Sequence, residues 1–491
     1  MAVRLVYGDV AVGAAGDATV LASNVESFSE PELVPFGAPS YALATLEPNS
    51  WGLSHDYKVR KHHRVALWST ARSGDDCVFT NKPSVILTFS QQHTGSGLTI
   101  RFAPESGEYC RKIGVVWFRG SDVLDSGIYY PDSGHFTIEK LVEAFDRIGI
   151  VMEETNLPGR RAKLEYVAIG IVRELDGTVL TEAQFVHEFD PISSTVPINV
   201  MDASIHGEGN AEYVFQRKQP VEAYNEEQLI GVYYIEAGQR TGARSYEFSC
   251  VDAIGILELD DYAGGLWIED TDIETILADV TGGVFALDID PALVGRTLRG
   301  YVPPGTRRDA LQQVAFALGA CVDTSGTAKI RVFPIPTGEG TEIPQAETYV
   351  DGRVITSDVV TEVTVTAYVI FDERPTDGQE SIEFNGVRYR YYTDTKHAYN
   401  PNATAGDLAN KIKFDKCYLC NLSNAQARAD EIMAYYSRRN IYSAKHIMDG
   451  QQVGDRAVMH LPWGETASGN ITRMTVSVTG LTVSDTEFLM D

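Results

Sequence analysis

Cys417-x-x-Cys420 is the spacing in this chain that most invites a chemical reading. Two thiols three positions apart can supply half of a tetrahedral zinc site or form a dithiol pair. A closed zinc site needs four ligands. No second cysteine pair exists, so His397 and His446 would have to complete it. The simpler account is two partly buried thiols ahead of a helix, and no βαβ pattern supports a thioredoxin-like motif. His62-His63 sits among Lys58, Arg60, Lys61 and Arg64. Adjacent strand residues point to opposite faces, so these two histidines read as solvated basic surface rather than a metal site. The carboxylate pairs Asp75-Asp76, Glu153-Glu154 and Asp260-Asp261 have the side chains of glycoside hydrolysis, which needs two acids facing one bond across a cleft. With 68 acids in the chain, adjacent pairs arise by chance. Gly-x-Ser-x-Gly, Gly-Lys-Ser/Thr and His-Glu-x-x-His motifs are missing from the sequence. The expectation is therefore no catalytic residue, no metal ligand, no cofactor and no enzymatic activity. The aromatic residues carry a different chemistry. A sugar ring can lie on an aromatic face, and Trp68, Trp117, Tyr129 and Tyr130 are the candidate glycan contacts, with Trp51 nearby. Core packing is the competing role for each.

The elements that would hold these residues are mostly strands. Leu98, Ile100 and Phe102 alternate, as do Ile148, Ile150 and Met152, and Val363, Val365, Ala367 and Val369. Asn385-Gly386 between alternating runs predicts a two-residue hairpin turn. Residues 229–250 read as another hairpin, and Asp176-Gly177 as a weaker turn. Three helices are predicted. The first, 271–280, has a Thr271/Glu274 capping box, and the second, 306–318, is stopped by Gly319. The third, 423–436, has a Ser423/Gln426 box. Residues 138–145 have helical spacing at Ile138, Leu141, Val142 and Phe145, with an irregular strand as the alternative.

This punctuation predicts a mainly β fold with minor α. Expected divisions are an N-terminal segment 1–65, a β-sandwich 66–190, a β domain 191–270, an α/β subdomain 271–335, and a C-terminal β domain 336–491. The 190–197 stretch is the expected boundary.

Composition narrows the partners. Lys and Arg total 41 against 68 acids, for a net charge of −27. That argues against nucleic-acid binding, which needs a basic face. Arg160-Arg161, Arg307-Arg308 and Arg438-Arg439 are the clearest basic pairs and are expected at the surface. Six scattered cysteines are too few for a disulfide framework and fit synthesis in a reducing cytoplasm. No signal peptide and no apolar run of ~18 residues is visible, so no membrane insertion is expected. Incorporation into a particle released by lysis would reconcile cytoplasmic synthesis with action outside a cell.

Two stretches resemble a known family. Leu229-Ile-Gly-Val-Tyr-Tyr-Ile-Glu236, followed by Val251-Asp-Ala-Ile-Gly-Ile-Leu257 and Tyr262-Ala-Gly-Gly265, is similar to the first hub domain of phage tail proteins from Gram-positive hosts. The stretch from Gly300-Tyr-Val-Pro-Pro-Gly-Thr306 through Ala320 resembles the helical segment that follows it. Ile471-Thr-Arg-Met474 with Gly480-Leu-Thr-Val-Ser-Asp-Thr-Glu-Phe488 is similar to the closing strand. The matches span about the last three-fifths of the chain. They imply a baseplate or tail-tip hub built of β-barrel-like domains, commonly a homotrimer. Its implied partners are the tail tube and other baseplate or tail-fibre proteins, and its place is the virion tail tip. Gly97-Leu-Thr-Ile-Arg-Phe102 and the segment around Phe145-Asp-Arg-Ile148 to Leu164 resemble galactose-binding-like, discoidin-type sandwich modules, which implies a host cell-surface glycan as a further partner. Two other readings compete with the structural hub: a host-surface carbohydrate-binding tail protein, and a tail-associated cell-wall hydrolase.

Overall fold

The structure is a computed structural model. It describes all residues except 1–2, 12–13, 28–42, 45–46, 48–50, 53–57, 60, 63–64, 103–106, 208–214, 216, 227, 405 and 479–481; at 10, 15–16, 27, 43–44, 51–52, 58–59 and 61–62 only the backbone is described. Strands hold 54% of the chain and helices 10%, the mainly β, minor α architecture expected. The chain divides into two compact units, residues 6–174 and residues 1–5 with 175–491.

The first unit is organised by two long antiparallel strands, Ser84–Phe102 and His135–Thr155. Both run through one 8-stranded sheet, and each changes neighbours along its length, so that the two ends of that sheet can be taken as a first and a second sheet. Residues 84–89 pair with Ala18–Ser23, which follows the short helix α1 (Ala14–Asp17), and with residues 147–151. Cys110–Arg119 and then the edge strand Asp122–Tyr129 extend this sheet. Residues 97–102 pair with 135–139 and with Lys163–Ala168, and Leu67–Ser69 and Val25–Ser27 complete the second sheet. Between the sheets Val85, Leu87, Ile100, Phe102, Val115, Trp117, Phe145 and Ile148 form the core.

Residues 138–145 are strand, not helix. Three register shifts between Glu139 and Arg147 insert extra residues, so Ile138, Val142 and Phe145 all point inward while Leu141 is exposed. Bulges thus reproduce a helical spacing of apolar residues within a bent strand.

The second unit carries a continuous antiparallel sheet. Nine of its strands follow one another in the order Pro220–Asn225, Gln228–Arg240, Ser245–Val251, Val200–His206, Leu180–Glu188, Thr466–Val478, Thr482–Met490, Asn440–Ile447 and Arg353–Thr356. The hairpin expected over 229–250 is two of these strands. A helical layer adjoins it: α2 (Ala253–Glu258), α3 (Ile273–Thr281), α4 (Arg307–Leu318) and α5 (Ala425–Ser437). Ile276, Leu277, Leu311, Val314, Ala429 and Ile432 share one core with a smaller sheet that includes Glu362–Ile370 and Val387–Tyr399.

Helix α4 starts where local chemistry dictates. The Thr306 side chain accepts from the Asp309 amide, Asp309 returns a bond to the Thr306 amide, and Gly319 ends the helix at φ 67°. The other two expected capping boxes do not form. Thr271 still belongs to the strand Gly265–Asp272. Ser423 instead hydrogen-bonds Asn421, and Asn424 occupies the cap of α5. Asn385 and Gly386, at φ 50° and 76°, make the predicted tight turn between Phe384 and Val387.

Candidate functional site

The outer faces of the unit of residues 6–174 differ. On the second sheet Thr99, Glu165 and Tyr166 are buried, and the Gly170–Leu175 strand crosses there, Thr99 Oγ1 donating to the Gly170 carbonyl at 2.9 Å. The first sheet leaves its outer face open among the described residues. Strand register sets Leu21, Ile86, Gly149, Val116 and Ser126 in one row and Ser23, Ser84, Val151, Gly114 and Ile128 in the next. Alternation buries their neighbours and turns these residues outward. Leu21 is 63% exposed, and Val123 and Ile128 are also exposed. A side chain at Gly114 would meet nothing, so the centre is a shallow apolar floor.

Charges frame that floor. On one side Lys82, Glu153, Lys112, Glu154 and Arg111 form a ladder of ion pairs, with Lys82 to Glu153 at 2.6 Å and Arg111 to Glu154 at 2.9 Å. The Lys82 and Lys112 ammonium groups hold the Glu153 carboxyl below its ordinary range. On the other side the Arg147 guanidinium lies 4.4 Å over the Phe118 ring. The edge strand Asp122–Tyr129 pairs on one side alone among the described residues. This arrangement can dock a flat partner or an added strand.

The four candidate glycan contacts do not converge. Trp117 is 1% exposed in the core and has no face to offer a ligand. Trp68 lies on the second sheet, half-buried, donating from Nε1 to Glu26 at 2.7 Å beneath the Arg161 guanidinium. Tyr129 packs on the core of the first sheet, whereas Tyr130 beside it is 67% exposed.

The other chemistry-bearing residues are engaged elsewhere. Glu153 and Glu154 belong to the ion ladder, and Asp260 pairs with Arg307 at 3.1 Å. His397 pairs with Glu362, and His446 is buried against Thr486, so neither joins Cys417 and Cys420. Only the backbone of His62 is described, and His63 lies outside the described residues. No group of three or more His, Cys, Asp or Glu side chains is placed to hold a metal ion among the described residues.

Asp17 accepts from Ser90 Oγ, from His93 Nε2 at 2.8 Å and from the Gln91 amide, and these bonds hold its carboxyl below the usual range. Ser90 and His93 both end on the carboxylate, an arrangement unlike the serine-to-histidine relay of a hydrolase.

One expected surface arginine is buried instead. Arg160 is 4% exposed and pairs with Glu108 at 2.7 Å, and the fully buried Lys163 ammonium bridges Glu108 at 2.5 Å and Glu47 at 2.8 Å. Burial is tolerated because opposite charges meet in good geometry. In the second unit the expected boundary segment 190–197 is held from several sides. Asp190 accepts from the Ile192 and Thr195 amides and from Ser194 Oγ. Arg308 donates to the Val196 carbonyl and Gln312 to the Ser193 carbonyl, each at 2.7 Å. Pro-Ile-Ser-Ser-Thr after Asp190 announces a turn, but Arg308 and Gln312, which fasten it, lie more than a hundred residues away.

The solvent face of the large sheet carries a cavity of about 430 Å³ lined by Glu182, Asp202 and Glu247 with Gln184, Ser204 and Ser249. Its acidic lining disfavours a phosphate backbone.

No protein-family profile matches the chain. No curated protein matches it either. Among solved structures, it is similar to a tail protein from Neisseria meningitidis MC58 at 13% identity, over 64% of this chain and 92% of that one, with a TM-score of 0.46. The 43 kDa tail protein of prophage MuSo2 from Shewanella oneidensis aligns at 8% identity over 64% and 96%, with a TM-score of 0.44. Prophage tail protein gp18 from Listeria monocytogenes EGD-e aligns at 11% identity over 62% and 94%, with a TM-score of 0.41.

Proposed function

We propose that the chain is a structural baseplate or tail-tip hub subunit of a phage or phage-tail-like particle, associating as a homotrimer and linking the tail tube to host-recognition components. One observation carries this reading: the stretches that resemble hub proteins are parts of a single folded unit. Leu229 to Glu236 lies in the strand Gln228–Arg240, and Val251 to Leu257 runs from the adjacent strand into α2. Gly300 to Ala320 covers a strand end and all of α4. Ile471 and Phe488 then face each other in the closing hairpin. Chance likenesses spread over three-fifths of a chain have no reason to meet on one sheet and its helical layer. The acidic solvent face of that sheet suits a surface that DNA passes without binding.

Light scattering at several concentrations tests the reading. A stable species of about three times the 53.9 kDa chain mass supports a closed trimer. A monomer at every concentration, with and without a tail-tube partner, refutes it.

A second reading, host-surface glycan binding by the sandwich unit, is favoured by the exposure of Tyr130 beside the open face. Binding of soluble cell-wall glycans by the full chain, lost on Tyr130→Ala, tests it.

A further inference from the structure

Cys417-x-x-Cys420 has no part in the hub reading, yet its geometry is specific. The four residues form a tight turn in which the Cys420 amide donates to the Cys417 carbonyl at 3.1 Å. Such a turn holds its first and fourth Cα atoms within about 7 Å, which overlaps the separation a disulfide spans. Both thiols are free.

The two residues differ in access. Cys417 lines an open cavity of about 500 Å³ between α4 and the segment that leads into the turn, with Lys413, Lys416 and Gln313 around it. Its sulfur lies 3.4 Å from the Gln313 carbonyl. Cys420 sits behind it with no exposed surface.

We propose that Cys417 and Cys420 form a reversible intramolecular disulfide, Cys417 being the entry thiol and Cys420 the resolving thiol, when the folded chain meets a small-molecule disulfide such as oxidised glutathione. The Cys417 thiolate attacks one glutathione sulfur, the glutathione S–S bond breaks, and the departing glutathione thiolate takes up a proton. Cys420 then loses its proton to solvent and attacks the Cys417 sulfur, and the second glutathione leaves. The protein gives up two hydrogens, and one oxidised glutathione becomes two reduced ones.

Electrostatics order the two steps. Burial pushes the Cys417 thiol up, but hydrogen bonds from the Cys420 thiol and from the Leu419 and Cys420 amides, with the Arg428 charge, outweigh it and leave Cys417 below its ordinary value. Its bond to Cys417 and its burial push Cys420 well above. Cys417 is 9% exposed and lines the cavity, whereas Cys420 is 0% exposed and does not, and a thiol that a small disulfide can reach in front of a shielded one is the order exchange requires. Cys110, Cys250 and Cys321 are pushed up by burial. The inference does not depend on the hub reading. If the chain does leave the cytoplasm in a particle, the pair would change from dithiol to disulfide on release.

The test uses the full-length reduced protein, incubated natively with oxidised glutathione, alkylated, and digested with trypsin. Cleavage after Lys416 and Arg428 releases a peptide that contains both cysteines and none of the other four. The expected result is that this peptide alone loses two hydrogens and escapes alkylation, and that dithiothreitol reverses the change. Cys420→Ser should trap one glutathione on Cys417, whereas Cys417→Ser should leave Cys420 unmodified until the protein is denatured. Thermal melts near wild type confirm that both variants fold. Alkylation of both cysteines in the wild-type peptide after native incubation overturns the proposal, as does a disulfide elsewhere. Equal glutathionylation of the two variants overturns the assigned order.

Discussion

The Arg428 guanidinium donates to the Ile192 carbonyl oxygen at 3.0 Å, joining residues 236 positions apart. Arg428 is 4% exposed, lies 5.0 Å over the Phe316 ring and pairs with Glu431. It therefore fastens the 190–197 segment to α4 and α5 at once. Arg428→Met keeps most of the stacking volume and removes the charge-assisted bonds. It should lower the unfolding free energy of its unit by about 3 kcal/mol. Urea denaturation measures this, and a loss below about 0.5 kcal/mol would show that the segment is held by other contacts.

His187 and Asp252 should give stability opposing responses to pH. Burial beside Tyr233 pushes the His187 pKa down to about 4. An unfolded histidine titrates near 6.5. Between these values the unfolded chain holds a proton the folded chain lacks, so stability falls as pH falls. Burial pushes the Asp252 pKa up to about 6, against hydrogen bonds from Thr324 and the Gly255 amide. Unfolded aspartate titrates near 3.9. Over that window the folded chain holds the extra proton, and stability falls as pH rises. Each slope reaches up to about 1.4 kcal/mol per pH unit. Relative to wild type, Asp252→Asn should tilt the pH 4–6 stability profile upward with pH, and His187→Gln should tilt it downward. Parallel profiles for all three proteins would exclude both assignments.

Lys163→Met should act on the unit of residues 6–174. The substitution removes the ammonium shared by the buried carboxylates of Glu47 and Glu108. Losing one partner of a buried ion cluster costs about 3–5 kcal/mol. Calorimetry should show one transition moving down while the transition of residues 175–491 stays in place. A shift of both together would mean that the two units unfold as one.

Thr306→Ala tests the start of α4. Both halves of its capping box are formed. The expected loss is about 1 kcal/mol, and Thr306→Ser should recover most of it. Equal stability of the Ala and Ser variants would show that packing alone sets this helix start.

Some local signals are legible in the sequence, although the Thr271/Glu274 and Ser423/Gln426 spacings do not make the caps they announce. Thr306, Asp309 and Gly319 bracket α4, and Asn385-Gly386 makes its turn, because each needs only its neighbours. The strand through Ile138 and Phe145 was ambiguous because its bulges answer to Gly97, Gly95 and His93 on the partner strand. Trp117 and Tyr130 look alike as aromatic residues near strands. Their opposite fates, 1% and 67% exposed, depend on which face the sheet turns inward. Arg160 reads as surface until Glu108 is brought beside it. The partnership of Cys417 and Cys420 was visible from spacing, but the cavity that exposes only one of them was not.

The strand Leu180–Glu188 is bonded on one side to Val200–His206, which follows almost at once, and on the other to Thr466–Val478, so that Ala183 faces Val478. At the ordinary pace of synthesis, about 5–20 residues per second, the second partner arrives roughly 15–60 s after the first. Through that interval the nascent chain presents an unpaired strand edge on the ribosome, and copies growing on one message are the neighbours best placed to find it.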